Sequence, residues 1–231
     1  MVYIINIETS TKVCGVSLSV DGQIVDQRES KEGNSHASNV APFIDSLIKD
    51  NELRYSDLSA VAISEGPGSY TGLRIGTSTA KGLCYALDIP LIAISTLKSM
   101  AAYARSLYNS DFNKLLRPMI DARRMEVYSQ AFDANLNPLD EIRAIIVDQE
   151  SFKGELEKQE VVFFGDGAAK CMGAISHPNA IYLDKVEASA LGMIRLSYDK
   201  FIKNDFVDVA YFEPFYLKEY IAAVSKVKGL R

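Results

Sequence analysis

Residues 63–83, ISEGPGSYTGLRIGTSTAKGL, constrain the fold more than any other stretch of the chain. The apolar run Leu58 to Ser64 breaks off at Gly66, Gly68 and Gly72, and the spacing of apolar residues then changes from that of a strand to that of a helix over Leu73 to Leu87. A second apolar run, Pro90 to Ser95, follows, and Thr96 opens a helical stretch that reaches Leu107. Strand, helix and strand in close succession require two parallel strands with the helix as crossover, so the chain is an α/β protein.

The loop itself supports two readings. Its glycines let the backbone approach a ligand, and a helix beginning near Thr71 aims free N–H groups and a positive dipole end at the loop, beside the hydroxyls of Ser69 and Thr71. That is a sound anion site, but the residue order matches neither common phosphate motif. A Walker loop needs Gly-Lys-Ser/Thr where this chain has Lys81-Gly82-Leu83, and the dinucleotide pattern needs glycine where Thr71 stands. The alternative is tight packing, since Gly72, Gly76 and Ala80 share one side of the helix and leave a flat strip for another element.

On either side of this unit the chain divides into two expected lobes. Tyr3 to Glu8 and Lys12 to Val20 read as strands, Asp21-Gly22 as a tight turn, and Gln23 to Ser30 as a returning strand with Ile24 inside. Ser35 is a candidate N-cap for a helix running to Asp50. After Asn109-Ser110-Asp111 the pattern resets, which places a boundary near residue 110 and gives lobes of 1–110 and 111–231. In the second lobe, strands are expected at Leu115 to Asp121, Met125 to Phe132 and Val161 to Phe164, and helices at Glu150 to Lys158 and Ala188 to Lys203. The aromatic tail YFEPFYLKEYI should lie against the protein.

Composition excludes some roles. With 25 Lys and Arg against 30 Asp and Glu, the net charge is -5, which disfavours a free-standing nucleic-acid binder that must neutralise phosphates. The three cysteines, Cys14, Cys84 and Cys171, are odd in number and far apart, which fits buried thiols in a reducing compartment. No basic leader or bilayer-length apolar run is present, so a cytoplasmic protein without membrane contact is expected. Only His36 and His177 occur, and neither has a second His or Cys at metal spacing, so no metal site and no catalytic residue is expected. Ser35 beside His36 does not make a protease pair, because adjacent helical residues do not face each other.

A second candidate loop lies in INIETSTKVCGVSL, residues 5–18. A strand ending in Glu8, then Thr9, Ser10 and Thr11, then a returning strand, is how the phosphate–metal loop opens in actin-like ATPases and sugar kinases. A hairpin turn whose hydroxyls bond the local backbone accounts for the same residues.

Taken together, NIETSTKVCGVSLSVDGQIV, SHASNVAPFIDSLI, AISEGPGSYTGLRIGTSTAKGLCYALDIPLIAISTL and MIDARRMEVYSQAF, with FFGDGA and EPFYL, resemble in order and spacing the TsaB (YeaZ) family. The resemblance implies an actin-like, ribonuclease-H-like fold of two lobes, with mixed sheets flanked by helices. It further implies a role in making threonylcarbamoyladenosine beside the anticodon of tRNA, as the non-catalytic partner of the related transferase TsaD, joined by the ATPase TsaE. Contact with tRNA would be indirect, through the complex, and the isolated protein would form a homodimer.

TsaD-like chains carry two metal-binding histidines on the helix after the PL strand, and Thr96 and Met100 align with them here. Glu8 stands where such chains usually have Asp, and the longer side chain suits an octahedral magnesium site poorly. The expectation is no cofactor of its own, with ATP or ADP held weakly at the contact with TsaD. The partner surface is expected on the two N-lobe helices, at Val40, Phe43, Ile44 and Leu47 and at Leu73, Gly76, Ala80 and Tyr85. The rival expectation is a small actin-fold ATPase or phosphotransferase using Glu8, Thr11 and the Gly66 loop.

Overall fold

A computed structural model describes residues 1–32, 36–108 and 112–218. Strands β1 (Tyr3–Glu8), β2 (Cys14–Val20) and β3 (Gln23–Ser30) form an antiparallel meander, turned at Asp21 and Gly22, which both have positive φ (48° and 77°). That geometry is the one a two-residue hairpin requires. Helix α1 (His36–Asp50) leads to β4 (Ala60–Gly66), which pairs in parallel with β1. Helix α2 (Tyr70–Leu87) then crosses to β5 (Leu91–Ser95), which pairs in parallel with β4. The first sheet thus has five strands in the order β3-β2-β1-β4-β5.

Helix α3 (Thr96–Ser106) passes between the lobes and packs Leu97, Met100, Ala101 and Ala104 against the second sheet. That sheet comprises β6 (Leu115–Asp121), β7 (Glu126–Ser129), β8 (Arg143–Ile146), β9 (Val161–Phe164) and β10 (Ala180–Leu183), in the order β10-β9-β6-β7-β8. A short helix α4 (Lys153–Leu156) sits beside it, and helix α5 (Ile194–Ile202) closes the helical part of the chain. The expected boundary near residue 110 falls in 109–111, outside the described residues. The division 111–231 also meets a complication: Met193, Leu196 and Phe201 pack on Ile4, Ala60 and Ile92 of the first sheet. The chain therefore returns to its first sheet before it ends.

Each sheet is covered on both faces. Ile5, Ile7, Val16 and Ile63 meet α1 and α2 through Val40, Ile44, Leu47 and Ala80. Side chains that alternate along β1 send Ile4 to the opposite face, against α5. Burying large aliphatic side chains at about 25 cal/mol per Å² of apolar surface makes these faces the main source of stability. In the second sheet, Arg117 on β6 is 1% exposed and bonds Asp140 at 3.0 Å and Glu155, with its guanidinium over the Phe152 ring. A buried cation survives there because two carboxylates meet it.

Several elements differ from the sequence reading. Strands β8 and β10 were not anticipated, because their burial is partial and carries no clean alternation. The segment Ala188 to Lys203 begins as a 3-10 turn over Ala190–Met193 and becomes α-helical only at Ile194. Gly192 explains the tight start, since a Cβ there would strike the Ser99 carbonyl. Ile24 is not inside but 49% exposed, on the outer strand of the first sheet. No helix among the described residues is long and apolar enough to cross a membrane.

Candidate functional site

The two candidate loops meet. Ser69 caps α2 by accepting a hydrogen bond from the Gly72 N–H at 3.3 Å, and its own N–H donates to the Ser10 carbonyl at 2.6 Å. The helix begins at Tyr70, one residue before the expected Thr71. A Cβ on Gly68 would strike the Ser10 carbonyl, one on Gly72 the Thr9 carbonyl, and one on Gly76 the Thr9 hydroxyl. The strip of small residues is therefore occupied by the β1–β2 turn of the same chain. Carbonyl oxygens of Thr9 and Ser10 stand at the N-terminus of α2, where an anion would have to come, and they present partial negative charge to it. The glycines of this loop are thus used for contact within the chain.

Glu8, Thr9, Ser10 and Thr11 are all buried. Glu8 Oε1 accepts from the Ser10 N–H at 2.7 Å, the Ser10 hydroxyl at 2.5 Å and the Ser64 hydroxyl at 3.0 Å, while Oε2 has no partner among the described residues. Burial pushes the Glu8 carboxyl above its ordinary value, against the pull of the Ser10 and Ser64 bonds. Burial that opposes ionisation works against magnesium binding by this carboxyl. Among the described residues no group of three or more His, Cys, Asp or Glu side chains comes together to hold a metal. Thr96 and Met100 are both fully buried, and the Met100 methyl packs against Gly165.

His36, at the start of α1, is buried. Its Nε2 lies 2.9 Å from the Thr11 carbonyl and 3.3 Å from that of Val13. Two carbonyl neighbours require Nε2 to carry the proton, so the side chain ties α1 to the β1–β2 turn. Ser35, the expected N-cap, lies outside the described residues.

In the second sheet, β6 ends in Asp121. Burial opposes its ionisation, but Lys170, the Arg123 N–H and Lys12 outweigh that and hold the carboxyl below its ordinary value. Asp166, in the loop after β9, accepts from the Asp121 N–H at 3.0 Å, and burial pushes its carboxyl up. The two residues are 45 apart in sequence and meet only in the fold. The Gly-Asp-Gly run after β9 was the available signal.

The expected partner surface needs correction. Val40, Ile44, Leu47, Leu73, Gly76 and Ala80 are buried in this chain, and all but Leu73 and Gly76 belong to its main core cluster. Phe43 is half-buried against the same core. The reason is the packing of α1 on α2 and of both on the sheet, which uses the apolar stripe of each helix once. Of the eight residues, Tyr85 alone is open, at 86% exposure. What α2 presents to solvent is a different strip: Thr71, Arg74, Ser78, Gly82 and Tyr85. A Cβ on Gly82 would meet nothing within 4 Å.

Beside this strip runs the C-terminal segment. Val207 N–H donates to Leu91 O at 3.0 Å, Lys81 Nζ donates to the carbonyls of Ala210 and Phe212 at 3.0 and 3.1 Å, and the Phe215 N–H donates to Glu65 O at 2.7 Å. Tyr216 packs on Tyr70 with ring centroids 4.9 Å apart. As far as it is described, the aromatic tail is tied to the first lobe as expected.

Two five-stranded sheets with flanking helices and a strand–turn–strand opening define a protein of the actin-like ATPase fold. Comparison with known proteins narrows this. The family model described as TsaD: tRNA N6-adenosine threonylcarbamoyltransferase matches residues 29–187. The tRNA threonylcarbamoyladenosine biosynthesis protein TsaB of Bacillus subtilis is 34% identical over 139 residues, 60% of this chain and 58% of that protein. TsaB of Haemophilus influenzae is 28% identical over 221 residues, 92% of each chain. Among solved structures, YeaZ from Pseudomonas aeruginosa aligns with a TM-score of 0.82 at 22% identity, over 94% of this chain and 100% of that one. The chain belongs to the TsaB/YeaZ family.

Proposed function

We propose that this chain takes part in biosynthesis of tRNA threonylcarbamoyladenosine as a non-catalytic subunit that docks on a TsaD-type transferase, with the ATPase TsaE joining the complex. The names of its relatives supply the pathway. The observation that carries the non-catalytic part is the contact of Gly68, Gly72 and Gly76 with Thr9 and Ser10, which uses these glycines for packing the two loops on each other. Buried Thr96 and Met100, where the resemblance sets the metal ligands of TsaD-like chains, support the same reading. Any ATP or ADP in the complex then sits at the contact with TsaD and not in these loops.

The docking surface is the open strip of α2 around Gly82 and Tyr85. A helix face with glycine and serine at its centre lets another helix come close, and an exposed tyrosine at its end supplies contact area. The same strip serves a homodimer when the partner is absent, since a two-fold axis near Ser78 sets Gly82 of each copy opposite Arg74 of the other. Light scattering on the chain alone and mixed with its own organism's TsaD tests this. A larger species in the mixture, formed at the expense of the dimer, is expected; the unchanged sum of two separate profiles would refute it.

A further inference from the structure

The next inference rests on the docking reading above and specifies what the partner brings. Beside the open strip of α2 lies a groove of about 380 Å³ between Arg74, Thr77, Ser78 and Lys81 on the helix and Glu213 and Tyr216 on the C-terminal segment. Two cations, Arg74 and Lys81, line it. Arg74 bonds the Tyr70 hydroxyl at 2.7 Å and pairs with no carboxylate among the described residues. Lys81 spends two of its three ammonium protons on the carbonyls of Ala210 and Phe212. The single acid in the lining, Glu213, offsets one of the two cations.

We propose that this groove receives a carboxylate side chain of the docked protein, with Arg74 as its principal contact and Lys81 as the supporting donor. A guanidinium holding a carboxylate in a partly desolvated groove forms a strong, directional pair. The rim favours a protein over a free anion. Tyr85, one turn beyond Lys81, is 86% exposed, and Tyr211, between the two residues whose carbonyls hold Lys81, is 85% exposed. Two open tyrosines flanking a cation give the composition of a protein contact, and a small anion has no use for them. The acidic balance of the chain, 30 Asp and Glu against 25 Lys and Arg, and Glu213 within the groove disfavour an RNA backbone as occupant.

The test is a set of binding titrations with the same organism's TsaD at low and high salt, using wild type, Arg74→Glu, Arg74→Lys and Gly82→Arg, with thermal melts of each variant. Arg74 is exposed, so its variants should melt as wild type does. Arg74→Glu is expected to weaken binding by about tenfold or more and to flatten its salt dependence, with Arg74→Lys between it and wild type. Gly82→Arg is expected to abolish docking by bulk, whatever the groove holds. If Gly82→Arg abolishes binding while Arg74→Glu stays within about twofold of wild type, the carboxylate proposal falls and the docking face stands. If both variants bind as wild type does, the docking face falls as well. A parallel titration of the isolated chain with inorganic phosphate and with a single-stranded RNA overturns the proposal if either binds saturably and is lost in Arg74→Glu.

Discussion

Gly72 and Gly82 occupy one helix and meet opposite surroundings. At Gly72 the neighbouring atom is the Thr9 carbonyl oxygen, so close that no side chain fits; at Gly82 nothing lies within 4 Å of an added Cβ. The same residue type therefore marks a closed contact at one end of α2 and an open face at the other. The closed end holds the β1–β2 turn. The open end carries Ser78 and Tyr85 and has no partner within the described chain. Glycine in a helix interior costs roughly 1 kcal/mol relative to alanine, so each of these needs a reason, and the reasons differ.

The sharpest way to break that contrast is Gly72→Ala. A methyl driven into a backbone carbonyl has to displace the turn or the helix, and a loss of about 3 kcal/mol is expected in urea unfolding. A loss below about 0.5 kcal/mol would show that the turn is not seated on α2 as described. Next in size is Tyr85→Ala, which should leave stability within about 0.5 kcal/mol because the side chain is 86% exposed. Its effect should fall on the partner: about 2 kcal/mol, or roughly thirtyfold in Kd, by titration against TsaD. The reverse pattern, lost stability with unchanged binding, would assign Tyr85 to the fold.

Gly82→Ala should stabilise the isolated chain by about 0.8–1 kcal/mol, read as a raised Tm, since the site has room and the substitution lowers the entropy lost on folding. The smallest effect concerns Glu8. Its folded-state value is raised by burial, so the folded protein binds more protons than the unfolded chain over the interval just above the ordinary carboxylate value. Stability from this group is full below that interval and declines as pH rises through the folded value. Glu8→Gln keeps an acceptor for the Ser10 and Ser64 bonds and should flatten the decline, as measured by urea midpoints from acid to neutral pH. An unchanged slope would mean that another group carries it.

Much of the first lobe was legible because its signals are local. Asp21-Gly22 specified a turn by backbone sterics alone, and the apolar runs of β1, β4 and β5 have the length and continuity of strands buried on both faces. The Gly66–Gly72 loop was legible as a place of close approach, but not as to what approaches. Sequence spacing shows that Gly72 and Gly76 share a side; only the tertiary arrangement shows that Thr9 fills it. Most of the expected partner residues proved buried for a related reason. Val40, Ile44, Leu47 and Leu73 have the helical periodicity of a buried stripe, and one stripe per helix is consumed when α1 and α2 pack on each other and on the sheet. The strip that remains, with Arg74, Ser78 and Gly82, is polar and small and carries no hydrophobic signal.

The central claim is that the phosphate cradle of this actin-like fold has been closed from within. Titration calorimetry of the isolated chain with magnesium ATP, with turnover followed in the same samples, tests it most directly. The account predicts no saturable heat and no hydrolysis across the physiological nucleotide range. Stoichiometric binding with magnesium-dependent turnover would contradict it and restore the reading of Glu8, Thr11 and the Gly66 loop as a working active site.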